Sequence, residues 1–316
     1  MSDLSRPEFH DAEKAREWLE TELWPDGPVC PRCGTVDQAT LMKGKTTRPG
    51  LYQCNACREP FTVTVGTLYE RSHVPLNKWL AATHLLMASK KGMSALQIGR
   101  LLGLSKKTAW FLCHRIRESL RETTLDTPLG GQNKVVEADE TYIGGKETNK
   151  HKSKRQKGMQ GGKGKEPVVA LVERDGRVRS QHMPEVTAKN LRLALVTQVD
   201  RKSYLMTDEH GGYVAVGREF SGHGTVNHGI EEYVRTGGFH HTNTVEGYFS
   251  ILKRGIVGTY HHVSQEHLKR DLAEFDYRYN ERSALGVSDR ERMTKSVQGI
   301  VGKRLTYRRT GGRANV

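Results

Sequence analysis

The spacing of apolar positions divides the chain into a helical first part and a mixed second part. From Asp11 to Leu23, residues Ala15, Trp18 and Leu19 recur on one face and predict a short amphipathic helix. Phe61 to Thr67 alternates instead, as a strand does. Pro75 then opens a helix whose apolar positions are Leu76, Trp79, Leu80, Thr83, Leu86 and Met87. Ser94-Ala-Leu-Gln97 is a capping-box start for a short helix that ends at Gly103, and Ser105 caps the next, Lys106 to Arg121. Ala109, Leu112, Cys113, Ile116 and Leu120 form the buried stripe of that helix, with Cys113 a core residue. Lys106, Lys107, Thr108, His114, Arg115 and Arg117 are left outward. Two helices joined by a short Gly-containing turn make a helix-turn-helix candidate. Basic and hydroxyl groups on its second helix suit phosphate and base-edge contacts.

The second part changes period. Val135 to Ile143 predicts a strand that ends at Gly144-Gly145. Val168 to Glu173 and Val178 to Met183 predict two more, joined by the hairpin signal Arg174-Asp-Gly-Arg177. Thr187 to Val199 is helical, Tyr204 to Asp208 a fourth strand, and Thr244 to Lys253 a helix. Ser264 caps a last helix with Leu268, Leu272, Phe275 and Tyr279 as its stripe. Between the first two strands, Lys146 to Glu166 has almost no apolar residue and predicts a mobile basic insertion. Its Lys154 and Arg155 are candidate DNA-backbone contacts. The resulting division is a helix and cysteine-paired segment over 1–70 and a helix-turn-helix region over 71–126. A catalytic domain follows over 134–285, with the insertion at 146–166, and a basic tail over 286–316.

Charge and cysteine usage sharpen this picture. The 316 residues carry a formal net charge of +14, which favours a polyanionic partner. No apolar run is long enough to span a membrane, and the polar first residues lack a signal segment, so the expected location is the cytoplasm. Cysteines there are reduced, and paired ones suggest metal before disulfide. Cys30-Pro-Arg-Cys33 and Cys54-Asn-Ala-Cys57 are two CxxC turns that together complete a tetrahedral zinc site. Four thiolates leave no open position, so this zinc is structural.

The chemistry-bearing residues are acids. Asp139 lies within an otherwise β-forming run, Asp208 ends another, and Glu246 sits in the first turn of a helix. A carboxylate in a buried strand is costly unless it is paired or binds metal. Two strand acids and one helix acid suggest a metal site for phosphoryl chemistry. Glu140 and Glu209 are rival ligands beside the two aspartates, but neighbours on a strand point to opposite faces.

The order strand, hairpin pair, helix, strand resembles the RNase H-like fold. The segments Asp139-Glu-Thr-Tyr-Ile-Gly-Gly145, Asp208-Glu-His-Gly-Gly-Tyr213 and His240 to Gly255, with Gly258-Thr-Tyr-His-His-Val-Ser264, resemble bacterial insertion-sequence DDE transposases that carry an N-terminal zinc ribbon, the ISXO-like group. The resemblance runs from about Cys30 to Asn280. It implies an α+β multidomain chain: a four-cysteine zinc ribbon, a helix-turn-helix, then an RNase H-like catalytic domain with a mixed sheet. It further implies that Asp139, Asp208 and Glu246 hold a pair of Mg2+ or Mn2+ ions, with Lys253 on a phosphate. Some members have asparagine as the third residue, and Asn243 is that alternative. Glu246 is favoured because Lys253 follows it by seven residues on the same helix face. The partners implied are double-stranded DNA, as transposon ends and target, and further copies of the chain, at the nucleoid. Two other readings stay open: a DNA-binding regulator with an inactive nuclease fold, and an RNase H-like nuclease without strand transfer.

Overall fold

The computed structural model describes residues 3–122, 127–145, 151–155, 162, 164–226 and 239–306. The chain forms two compact units, one built from residues 1–121 together with 283–316 and the other from 122–282.

In the first unit, helix α1 (Ala12–Leu23) starts at Asp11, whose carboxylate accepts from the Glu13 and Lys14 amides at 2.7 and 3.0 Å. It leads to three short antiparallel strands, β1 (Ala39–Leu41), β2 (Tyr52–Cys54) and β3 (Pro60–Phe61). Phe61 packs with Cys30 and Cys54 against Trp24 and Tyr52. The strand expected through Thr67 stops at Phe61. Residues 63–70 turn instead, with Val65 and Thr67 amides bonded to carbonyls three residues back.

Helix α2 (Leu76–Ala88) is the hub, and it is apolar nearly all round because it is covered nearly all round. Helix α3 (Ala95–Leu102) begins where the Ser94 hydroxyl accepts from the Gln97 amide. It ends at Gly103, whose φ of +61° is the left-handed conformation a side chain resists. Ser105 then caps α4 (Lys106–Ser119) through the Thr108 amide. Both α3 and α4 pack on α2, so the helix-turn-helix forms as its spacing predicts.

The second unit is a five-stranded mixed sheet. Its strands are β4 (Val135–Ile143), β5 (Glu166–Glu173), β6 (Val178–His182), β7 (Tyr204–Asp208) and β8 (Gly222–Val226), in the order β6-β5-β4-β7-β8. The β4-β5 and β5-β6 pairs are antiparallel; β4-β7 and β7-β8 are parallel. Helices α5 (Ala188–Gln198) and α6 (Gly212–Gly217) cover one face, and α7 (Asn243–Gly255) and α8 (Gln265–Asn280) the other. β5 is an unbroken apolar run because both its faces are buried: Val169 and Leu171 meet α5 and α6, while Val168, Ala170 and Val172 meet α7 and α8. The α+β class and the mixed sheet therefore stand as expected. The last turn of α7 widens into a π turn, Ile256–Tyr260.

The chain then returns to the first unit. Within the stretch read as a basic tail, helix α9 (Asp289–Gln298) forms behind a full capping box between Ser288 and Glu291. It packs on α2, burying Met293 and Val297, and Arg292 donates to the Met87 carbonyl at 2.8 Å. Lys303 is no free tail cation: its half-buried ammonium donates to the Ser119 and Arg121 carbonyls at 2.8 Å each, at and just past the end of α4. Residues 307–316 lie outside the described residues.

Candidate active site and zinc site

The register of β4 and β7 sets the acids. Ala138 lies opposite Thr207, so the next position on each of these parallel strands is Asp139 and Asp208, at one level and on one face. That face is the one covered by α7, because Val136 and Ala138 point the other way into the α5 and α6 core. Asn243, Glu246, Ser250 and Lys253 form the polar stripe of α7, opposite buried Val245, Tyr248, Phe249 and Leu252.

Electrostatics tie the acids together. Burial pushes the Asp139 carboxyl up to about 7. The Glu140 amide, donating to its Oδ1 at 2.7 Å, works against that, and the nearby charges of Asp208, Glu140 and Glu246 raise it further. Glu246 accepts from the Thr242 hydroxyl at 3.3 Å, and Asp208 from the His210 amide at 3.1 Å. Among the described residues, the acids are close enough to act on one another's charge, but the four cysteines alone are gathered within 4.8 Å as a potential ligand cage. An oxygen-only donor set of this kind suits a hard ion such as Mg2+ or Mn2+.

Glu140 belongs to the opposite face. Its Oε2 accepts from the Tyr213 hydroxyl of α6 at 2.6 Å, and burial raises its carboxyl above the ordinary value. The Tyr213 hydroxyl is pushed well above its usual range by burial and by the Glu140 charge. Glu209 is exposed one residue past β7. Asn243 is exposed at the first position of α7, one turn before Glu246.

One residue here carried no expected role. Glu137 is fully buried on the same β4 face as Asp139, and it accepts from the Thr244 and Val245 amides at 2.8 and 3.0 Å. It also accepts from Arg174 Nε at 2.6 Å. An acid two residues before Asp139, inside an otherwise apolar run, was the available signal.

The zinc ligands assemble fully. Sγ atoms of Cys30, Cys33, Cys54 and Cys57 all lie within 4.8 Å of one another. Cys30–Cys57 and Cys33–Cys54 are 3.7 and 3.6 Å apart, close to the roughly 3.8 Å edge of a tetrahedron with Zn–S bonds near 2.3 Å. The Thr35 hydroxyl, 3.0 Å from Cys33, leads in holding that thiol down at about 6.

The DNA candidates divide. Lys106 and Lys107 are exposed and Thr108 half-buried at the start of α4, and Arg155 is exposed. His114 and Arg117, expected outward with Arg115, are instead buried, at 4%, 4% and 8% exposure in the order His114, Arg117, Arg115. A helix with one buried face would leave them outward, but α4 is covered on several sides, by α2, α3 and α9. Arg115 lies 5.5 Å from the Trp79 and Phe111 rings and donates to the Glu70 carbonyl at 2.8 Å, and α9 packs across α4. Lys154 lies in a short turn, Lys152–Lys154, and most of the basic insertion falls outside the described residues. No helix among the described residues is long and apolar enough to cross a membrane.

Comparison with known proteins agrees with this layout. Residues 128–280 match the ISXO2-like transposase domain, and residues 10–59 match the transposase zinc-ribbon domain. The chain is also 28% identical over 286 residues to an uncharacterized protein in transposable element ISH50 of Halobacterium salinarum, covering 85% of this chain and 91% of that protein.

Proposed function

We propose that the chain, which matches a transposase zinc-ribbon domain and an ISXO2-like transposase domain, is an insertion-sequence transposase that cuts the ends of its element and joins them to target DNA. The observation that carries the reading is the level pairing of Asp139 and Asp208 on adjacent parallel strands, with the charge of Glu246 acting on Asp139 from α7. These three acids would hold Mg2+ or Mn2+, which supplies an activated water or 3′-hydroxyl and stabilises the leaving oxygen of an in-line displacement.

The chain's own residues do the rest. Asp139, half-enclosed and raised to about 7, would be held in its ionised form by a bound cation. Lys253, exposed two turns along α7 from Glu246, offers a point charge to a phosphate beside the scissile bond. Lys106, Lys107 and Thr108, at the start of α4, meet the DNA backbone. The zinc ribbon is structural and adds a folded module for end recognition, and pairing of two ends calls for at least two copies of the chain.

The test is incubation with DNA bearing the element's ends, with Mg2+ or EDTA, beside Asp139→Asn. Mg2+-dependent nicks at the ends with joined products, lost in the variant, are expected. Nicks without joining would leave a nuclease. Tight end binding with neither product would leave a regulator.

A further inference from the structure

We propose that Glu137 and Arg174 are positioning residues that fix where α7 presents Glu246 to the strand aspartates. The inference rests on the three-acid reading above. Helix α7 lacks a cap from its own N-cap residue: Thr242 makes no side-chain bond to the first-turn amides. The cap comes from another element. Glu137 Oε2 accepts from the Thr244 and Val245 amides at 2.8 and 3.0 Å, and Oε1 from the Thr244 hydroxyl at 2.9 Å. An acid at a helix start satisfies its orphan donors and meets the positive end of the helix dipole. Glu246 is the next residue after Val245. One side chain of β4 therefore sets the height of the helix acid, two positions before Asp139 on the same strand face.

Arg174 locks the other side of this joint. It stands at the β5-β6 turn, and its own amide donates to the Val135 carbonyl of β4 at 3.0 Å. Nε donates to Glu137 at 2.6 Å, Nη1 to the Phe239 carbonyl at 2.9 Å and Nη2 to the His241 carbonyl at 2.8 Å. Its guanidinium lies 5.5 Å from the Phe239 ring, and the His241 ring sits 3.3 Å from Glu137. The planar fork thus spans β4, the hairpin turn and the entry to α7. Lysine cannot reproduce that geometry. Groups that orient ligands in this way change metal affinity or activity by roughly 10- to 100-fold when altered.

The test compares Glu137→Gln and Arg174→Lys with wild type and Asp139→Asn. Four quantities are read: thermal melting, DNA-end binding, Mn2+ affinity by titration without DNA, and the Mg2+ dependence of nicking. We expect folded variants with unchanged DNA binding, Mn2+ affinity weakened roughly tenfold or more, and a raised Mg2+ requirement. Folded variants with wild-type Mn2+ affinity and nicking, while Asp139→Asn is inactive, would overturn the positioning role and leave the three-acid reading standing. Full nicking by Asp139→Asn would overturn both. Should both positioning variants fail to fold, hydrogen exchange on the wild type decides. Protected Thr244 and Val245 amides support the cap, and exchange at the rate of open chain refutes it.

Discussion

Burial lifts the Asp139 carboxyl to about 7, while its neighbour Glu140 gives an oxygen to the Tyr213 hydroxyl at 2.6 Å on the far side of the sheet. Replacing each acid by its amide should therefore give unequal results. Asp139→Asn is expected to lose end nicking by on the order of a thousandfold or more, as removal of central catalytic groups does. Glu140→Gln is expected to retain nicking within about tenfold. Rates on a nicked-end substrate at fixed Mg2+ check both, and equal losses would place Glu140 in the site. The sequence could say that only one of the two can face a shared site, because alternation guarantees it. Which one depends on the register with β7 and on Tyr213, some seventy residues away, and neither is local information. His114 and Arg117 are the converse case. Their charge suggests a wet face, and only the tertiary packing of α4, against α2, α3 and α9, shows that they are covered.

At the scale of elements, a polar cluster beneath α8 is expected to make stability depend on pH. Asp276 accepts from the Tyr248 hydroxyl at 2.5 Å and from the Ser180 amide and hydroxyl at 2.8 and 2.7 Å, yet burial pushes its carboxyl from 3.8 up to about 7. A raised acid favours folding most when it is protonated. The contribution is whole below pH 4 and is lost as pH rises to about 7. Urea unfolding should show wild type losing about 3 kcal/mol relative to Asp276→Asn between pH 4.5 and pH 8, at about 1.4 kcal/mol for each pKa unit. A constant gap would refute it. Zinc removal is a second test: chelation should melt β1 to β3 and leave the five-stranded sheet intact, as seen by proteolysis and circular dichroism. Strands β4 to β7 and helices α5, α7 and α8 were legible because their apolar periods are strong. The fifth strand, β8, was not. Gly222 and Gly224 look like a loop, but a Cβ at Gly222 would fall 2.5 Å from the Tyr204 ring, and one at Gly224 2.7 Å from Met206 Sδ. These glycines serve close strand packing. Helix α9 was hidden for a different reason: much of its buried face is Arg292 and Ser296 rather than an apolar stripe.

For the whole molecule, the net charge of +14 and the two domain matches point to DNA binding, and end affinity should fall linearly on a log–log plot against salt. The sheet-bearing unit, 122–282, is continuous in sequence, whereas the other unit draws on both sides of it. Cutting the chain after Arg282 is therefore expected to leave residues 122–282 folded while the first unit loses its cooperative melt, because Met293, Val297 and Ile300 leave its core. Calorimetry on the truncated chain would show one transition where the full chain shows two; two preserved transitions would refute the dependence. The placement of α9 has a consequence for how the protein is made and lost. A ribosome releases α9 only after the entire sheet unit has been synthesised, so the helical unit waits, incomplete, for its closing piece. A frameshift or stop codon anywhere between residues 122 and 282 then removes that piece, whether or not the candidate acids are still made. Decayed copies of such a gene would not leave behind a stable DNA-binding fragment to occupy the ends and compete with intact protein.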